Sequence, residues 1–126
     1  MGLRIETVTI DAEDPDVIAA FWSAALGWGH RTDEDGDIWL EPEDDHPDAG
    51  TVRPLLIVRV PEGKVGKNRL HLDLVPDDQE REVERLEALG ASRPDIGQTG
   101  NESWVVLADP EGNEFCVLDE PNLLED

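Results

Sequence analysis

The chain has 126 residues and a formal net charge of −21, from 31 acidic against 10 basic side chains. A surface of that sign repels phosphate backbones and anionic lipid, which argues against nucleic-acid and membrane partners. No apolar run approaches the roughly 20 residues of a spanning helix. The one cysteine, Cys116, excludes an intrachain disulfide, and no secretory leader pattern opens the chain. A single cytoplasmic domain, large enough to bury a core, is the expectation.

The first predicted element is a strand over Ile5–Ile10. Asp14 then caps a helix with Pro15 at its first position, where the missing N–H costs nothing. Val17, Phe21 and Ala24 fall at helical spacing on its buried face, and Gly27 supplies the stop. Strands follow at Gly29–Thr32, Asp37–Leu40 and Val52–Val60, with a turn at Asp33–Gly36. The segment Glu41–Gly50 is polar and punctuated by proline, and is predicted to be a mobile loop.

The second half begins with Asn68-Arg69-Leu70-His71-Leu72-Asp73-Leu74-Val75, which alternates strictly. The pleat of a strand would place Leu70, Leu72 and Leu74 on one face and Arg69, His71 and Asp73 on the other. A helix pattern follows and needs the leucine face as its seat. The polar face then meets either solvent or a polar cavity. Asp77 or Asp78 caps this second helix, Val83, Leu86 and Leu89 form its stripe, and Gly90 ends it. Strands are predicted at Ser92–Ile96, Ser103–Ala108 and Glu114–Leu118, with turns at Gly97–Asn101 and Asp109-Pro110-Glu111-Gly112.

The two halves correspond. Thr7 aligns with His71, Asp14 with Asp78, Gly27 with Gly90 and Trp39 with Trp104, each at an offset close to 64 residues. Offsets this steady mark an internal repeat. The resulting fold class is α+β, with two βαβββ modules, module one at about residues 3–62 and module two at about 67–119.

The doubled unit, the stretches Phe21-Trp22 through Leu26-Gly27-Trp28, and Asp109-Pro110-Glu111-Gly112-Asn113 through Leu118 together resemble the vicinal-oxygen-chelate superfamily. That group holds glyoxalase I, the extradiol dioxygenases and the bleomycin-resistance proteins. The resemblance covers nearly the whole chain and implies a cleft of the glyoxalase/bleomycin-resistance/dioxygenase type. It also implies metal-ligand positions at Thr7, at His71, at Cys116 and on the strand Arg53–Val58. Of these, only His71 carries the ligand type the family uses. Thr7 is a poor ligand, Cys116 stands where the family has Glu, and residues 53–58 offer none. Glu114, two residues before Cys116, shares its strand face and is the possible substitute. The resulting expectation is no bound divalent ion, with His71 and Glu114 as the ligands if one is present.

Several residues remain candidates for a ligand site: Thr7, Trp39, Arg69, His71, Asp73, Trp104 and Cys116. His71 is either a hydrogen-bonded wall residue, a general base, or a metal ligand. Residues two apart on a strand are roughly 7 Å apart, so a direct His71–Asp73 bond is left open. Cys116 is read as a small buried hydrophobe before a nucleophile. Trp39 and Trp104 belong either to the core or to an aromatic wall suited to a flat organic ligand. The leading function is a metal-independent domain binding a small organic molecule, cationic or aromatic, as a homodimer. The alternatives are a lyase, isomerase or dioxygenase-type enzyme built on His71, and an interaction module with a vestigial cleft.

Overall fold

The computed structural model describes residues 2–94 and 103–119. The chain divides into two compact units, Met1–Gly63 and Lys64–Asp126. No helix among the described residues is long and apolar enough to cross a membrane.

Module one runs β1 (Val8–Ala12), α1 (Pro15–Leu26), β2 (Gly29–Thr32), β3 (Ile38–Glu41) and β4 (Leu55–Arg59). The Asp14 carboxylate accepts the Val17 N–H at 3.4 Å to open α1. Gly27, at φ 70°, closes it with its N–H on the Ser23 carbonyl. The helix buries Ile18, Ala19, Phe21 and Trp22. The expected stripe is rotated, for Val17 is 44 % exposed and Ala24 is exposed. The segment from Val17 to Leu26 is apolar on nearly every side, so spacing alone selects no face. The larger area of Ile18 and Trp22 decides it.

The module-one sheet has the order β1-β4-β3-β2, with β1 and β4 parallel and the other pairs antiparallel. Ile38, Leu40, Leu55 and Ile57 are buried along one face, which α1 covers. Strand β1 begins at Val8, later than Ile5, because its ladder partner begins at Leu55. Ahead of that point Ile5 is exposed.

The loop predicted to be mobile is pinned. His46 Nε2 bonds the Leu26 carbonyl at 2.9 Å, and its Nδ1 accepts the Asp48 N–H at 3.0 Å. A carbonyl can only accept and a backbone N–H can only donate, so the proton sits on Nε2. The ring thereby caps a free carbonyl at the end of α1.

Module two runs β5 (Leu72–Leu74), α2 (Gln79–Leu89), β6 (Val105–Ala108) and β7 (Glu114–Val117). Its sheet order is β5-β7-β6, with β5 and β7 parallel, which repeats the β1-β4-β3 pattern. Ser92 bridges Ala108 where the counterpart of β2 would lie. Of the expected strand Ser92–Ile96, Ser92 alone is bridged and Arg93 and Pro94 are not in a strand, while Asp95, Ile96 and the expected turn at Gly97–Asn101 lie outside the described residues. The Asp78 carboxylate caps α2 through the Arg81 N–H at 3.1 Å. The Gln79 amide donates to the carbonyls of Ser103 and Val117 and ties the helix start to the sheet. Val83 and Leu86 are buried, whereas Leu89 is exposed.

Two turns share one design. Asp33 accepts the N–H groups of Asp35 and Asp37, and Asp109 accepts those of Glu111 and Asn113. Gly36 and Gly112, both at φ 89°, sit at the fourth position. An Asp carboxylate here replaces backbone partners for two N–H groups at once. The second turn delivers β7, and with it Glu114 and Cys116.

Candidate functional site

Cross-strand register positions the site. Asp73 on β5 is paired with Cys116 on β7, and Cys116 is paired in turn with Val106 on β6. These three share a face. Leu72, Phe115 and Leu107 form the next row and point to the other face, as the period of two requires. His71 directly precedes β5, and its side chain reaches back along the Asp73 side.

His71 Nε2 lies 3.2 Å from Asp73 Oδ1. The two side chains meet although the residues stand two apart in the chain and His71 lies outside the ladder. Ligand atoms of His71, Asp73 and Cys116 all lie within 4.8 Å of one another. His71 and Asp73 are about half exposed, while Cys116 is 9 % exposed. Burial pushes the Cys116 thiol up, and the neighbouring Asp73 carboxylate adds to this by charge and by accepting the S–H; Lys67 offsets part of it. The thiol is therefore neutral near pH 7 when no cation is bound, which disfavours a free thiolate nucleophile.

A cavity of about 370 Å³ adjoins this trio. Val106 and Leu118 give it apolar lining, Trp104 adds an aromatic side chain, and Lys67, His71, Asp73, Glu114, Phe115 and Cys116 complete it. Glu114 is already engaged. Its carboxylate meets Lys64 Nζ at 3.1 Å and the Asn68 N–H at 3.0 Å, and the Asn68 side chain donates back to the Glu114 carbonyl. Lys64 also donates to the Gly66 carbonyl. This clasp fixes the approach of the chain to His71. Burial alone would raise the Glu114 carboxyl, but Asn68, Lys64 and Lys67 outweigh it and hold the group below the ordinary glutamate value.

The sequence candidates thus separate. His71, Asp73, Trp104 and Cys116 line one cavity. Arg69 is exposed and does not line it, and Leu70 is 87 % exposed and provides no seat for α2. The pleat covers only residues 72–74, so alternation cannot be carried back to residues 69 and 70. In module one, the Thr7 hydroxyl lies 3.4 Å from that of Thr9. Trp39 donates its indole N–H to Asp33 at 2.9 Å, with Arg31 over its ring. Neither Thr7 nor Trp39 is among the residues lining the module-two cavity. Sequence reasoning missed Lys67, Val106, Phe115 and Leu118. Leu118 was available from the alternation of β7, and Val106 needed the strand pairing.

The donor set fits a divalent ion. One imidazole, one carboxylate and one thiol, with cavity space beside them, match the three protein ligands and open position of a catalytic-type site. Glu114 is not one of the three, since Lys64 and Asn68 hold it.

The glyoxalase-like domain family profile matches residues 7–118. No curated protein sequence matches the chain. Solved structures do. The fosfomycin resistance protein FosX from Mesorhizobium loti aligns with a TM-score of 0.68 at 15% identity, covering 97% of this chain and 95% of that one. A point mutant of FosX from Listeria monocytogenes, complexed with Mn(II) and 1S,2S-dihydroxypropylphosphonic acid, aligns with a TM-score of 0.69 at 12% identity, covering 97% and 94%. A glyoxalase/bleomycin resistance protein/dioxygenase family enzyme from Burkholderia phytofirmans aligns with a TM-score of 0.64 at 18% identity, covering 89% and 94%. The doubled topology, the D-P-E-G-N turn and the profile match agree, and the chain belongs to the glyoxalase-like family of the vicinal-oxygen-chelate fold.

Proposed function

We propose that the chain binds a small organic molecule in the cavity of module two. The observation that carries this is the cavity itself, about 370 Å³ with apolar lining, an aromatic side chain and a few convergent polar groups. That size and character suit a small ligand. The lining bears on the expected ligand. Lys67 stands in the cavity lining and Glu114 is neutralised by Lys64, which favours an aromatic compound and weighs against a purely cationic one. Cys116 as a free thiol suits a reducing cytoplasm. Exposed Leu3, Ile5 and Val8, at and before the β1 end of the module-one sheet, support a homodimer.

The test is tryptophan fluorescence against a panel of small aromatic acids and amines. The expected result is saturable quenching, lost in Trp104→Phe, with the compound recovered unchanged. Absence of quenching throughout the panel would sink the reading.

A second reading has one observation in its favour, the 3.2 Å contact between His71 and Asp73. A carboxylate on one imidazole nitrogen orients the ring and leaves the other free to take a proton, as a lyase or isomerase base does. His71→Ala would then lower turnover about 10²-fold or more with little change in ligand affinity. Where a divalent ion is bound, it would be held by His71, Asp73 and Cys116 and would supply Lewis acidity at the cavity.

A further inference from the structure

We propose that His71, Asp73 and Cys116 form a binding site for a thiophilic, four-coordinate ion of the Zn²⁺ class, built from module two alone. This goes beyond the organic-ligand reading and does not depend on it. The donors are set by backbone register. Asp73 and Cys116 are cross-strand partners, and His71 enters beside them from the residue before β5. Neighbouring strands lie about 4.7–4.9 Å apart, so same-face side chains in register on β5 and β7 stand close enough for their tips to share an ion. Zinc bonds of roughly 2.0–2.3 Å place ligand atoms about 3.3–3.7 Å apart in a tetrahedron. The observed limit of 4.8 Å closes to that with rotamer adjustments of about 1 Å.

Two of the three positions depart from what the family resemblance supplies. Cys116 stands where a Glu is expected, and Asp73 is at none of the family positions. Thr7 and the strand Arg53–Val58 contribute no ligand type. The change from carboxylate to sulfur alters the preferred ion. Thiolate favours zinc-like metals, whereas carboxylate and water suit Mg²⁺, Ca²⁺ and Mn²⁺. Charge closes as well. The Cys116 thiol loses its proton to solvent on binding, and the resulting thiolate with the Asp73 carboxylate balances a dication beside a neutral imidazole. Lys67, in the lining of the same cavity, opposes a cation but is itself exposed.

The experiment uses the full chain, chelator-treated and reduced, titrated with Co²⁺ as a spectroscopic stand-in. The expected result is one Co²⁺ per chain with a thiolate-to-cobalt charge-transfer band, displaced by equimolar Zn²⁺ and not by equimolar Mn²⁺. Cys116→Ser should abolish the band. His71→Gln and Asp73→Asn should each weaken Co²⁺ binding by about 10²-fold or more, at or beyond the upper end of what outer-shell changes cost. His30→Gln, an exposed imidazole in module one, should change nothing. No band at saturation, a band that survives Cys116→Ser, or parental affinity in Asp73→Asn would each overturn the proposal. Should a variant fail to fold, protection of the unmodified chain answers the same question. Cys116 is its single cysteine, so Zn²⁺ should slow its alkylation by a maleimide, and an unchanged rate with Zn²⁺ would refute the site. No organic ligand enters these measurements, so their failure leaves the organic-ligand reading to its own test.

Discussion

The two modules repeat one topology and use it differently. Module one seats an apolar helix, with Phe21 and Trp22 edge-to-face at 5.1 Å, on the buried row Ile38, Leu40, Leu55 and Ile57. Module two seats a charged helix that buries only Val83 and Leu86, and its opposite sheet face carries His71, Asp73 and Cys116. At the positions matching His71 and Cys116, module one has Thr7 and an apolar strand. Among the described residues, it is the module-two face that brings an imidazole, a carboxylate and a thiol together. The module with the larger apolar helix can act as scaffold, and the other can hold polar residues on a lighter core. Local stability follows buried apolar area, so α2 should open more readily than α1.

The largest effect should come from the scaffold. Trp22→Ala empties a fully buried site and should cost about 3–5 kcal/mol in denaturant unfolding. Hydrogen exchange should then rise in α1 first. Equal acceleration in both helices would erase the distinction between modules.

A smaller effect is expected at His46, whose link to Leu26 has no described counterpart in module two. Its replacement by Ala leaves a helix carbonyl and the Asp48 N–H without the ring. The expected cost is about 1–3 kcal/mol, read from the thermal midpoint. Gln, which can donate to Leu26, should restore part of it.

The helix caps compare the modules more finely. Asp78→Ala should cost about 1 kcal/mol, the usual value of an N-cap. Asp14→Ala should cost less, since its bond is longer, 3.4 Å against 3.1 Å, and Pro15 already favours the helix start. Equal losses would show that the two starts depend on their caps alike.

The smallest effect lies in the module-two clasp. Glu114 is held below its ordinary value in the folded chain. The stabilisation is therefore present above the unfolded glutamate pKa and is lost as pH falls through the lower folded one. Lys64→Met should destabilise the chain by about 1 kcal/mol or less at neutral pH. The difference should vanish at the acid end of a pH series of urea melts. A difference that persisted there would assign the effect to packing of the Lys64 stem.

Much of this protein was legible locally. Asp14 and Asp78 begin the helices, Gly27 and Gly90 end them, and Asp109–Asn113 make the turn before β7, because capping and turn chemistry act within a few residues. The repeat was visible as a steady offset. Period-two alternation also placed His71 with Asp73 and set Cys116 opposite Val117. It erred at Arg69 and Leu70, since alternation in sequence continues past the point where the ladder stops. Helical spacing likewise put Val17 and Ala24 on the buried face of α1, where apolar residues surround the axis and Ile18 and Trp22 are buried instead.

Tertiary structure alone decided the rest. The parallel register that puts Asp73 against Cys116 joins residues more than 40 positions apart, and no local period encodes it. The same register aligns Val106 behind Cys116 and opens the cavity that Phe115 and Lys67 help line. A count of ligand types along the chain therefore found His71 and a displaced cysteine and predicted no ion. Pairing between distant strands brought the Asp73 carboxylate beside His71 and Cys116. Local chemistry determined which elements form and where they stop; pairing between distant strands determined which of their side chains meet, because only the ladder brings those atoms within bonding distance.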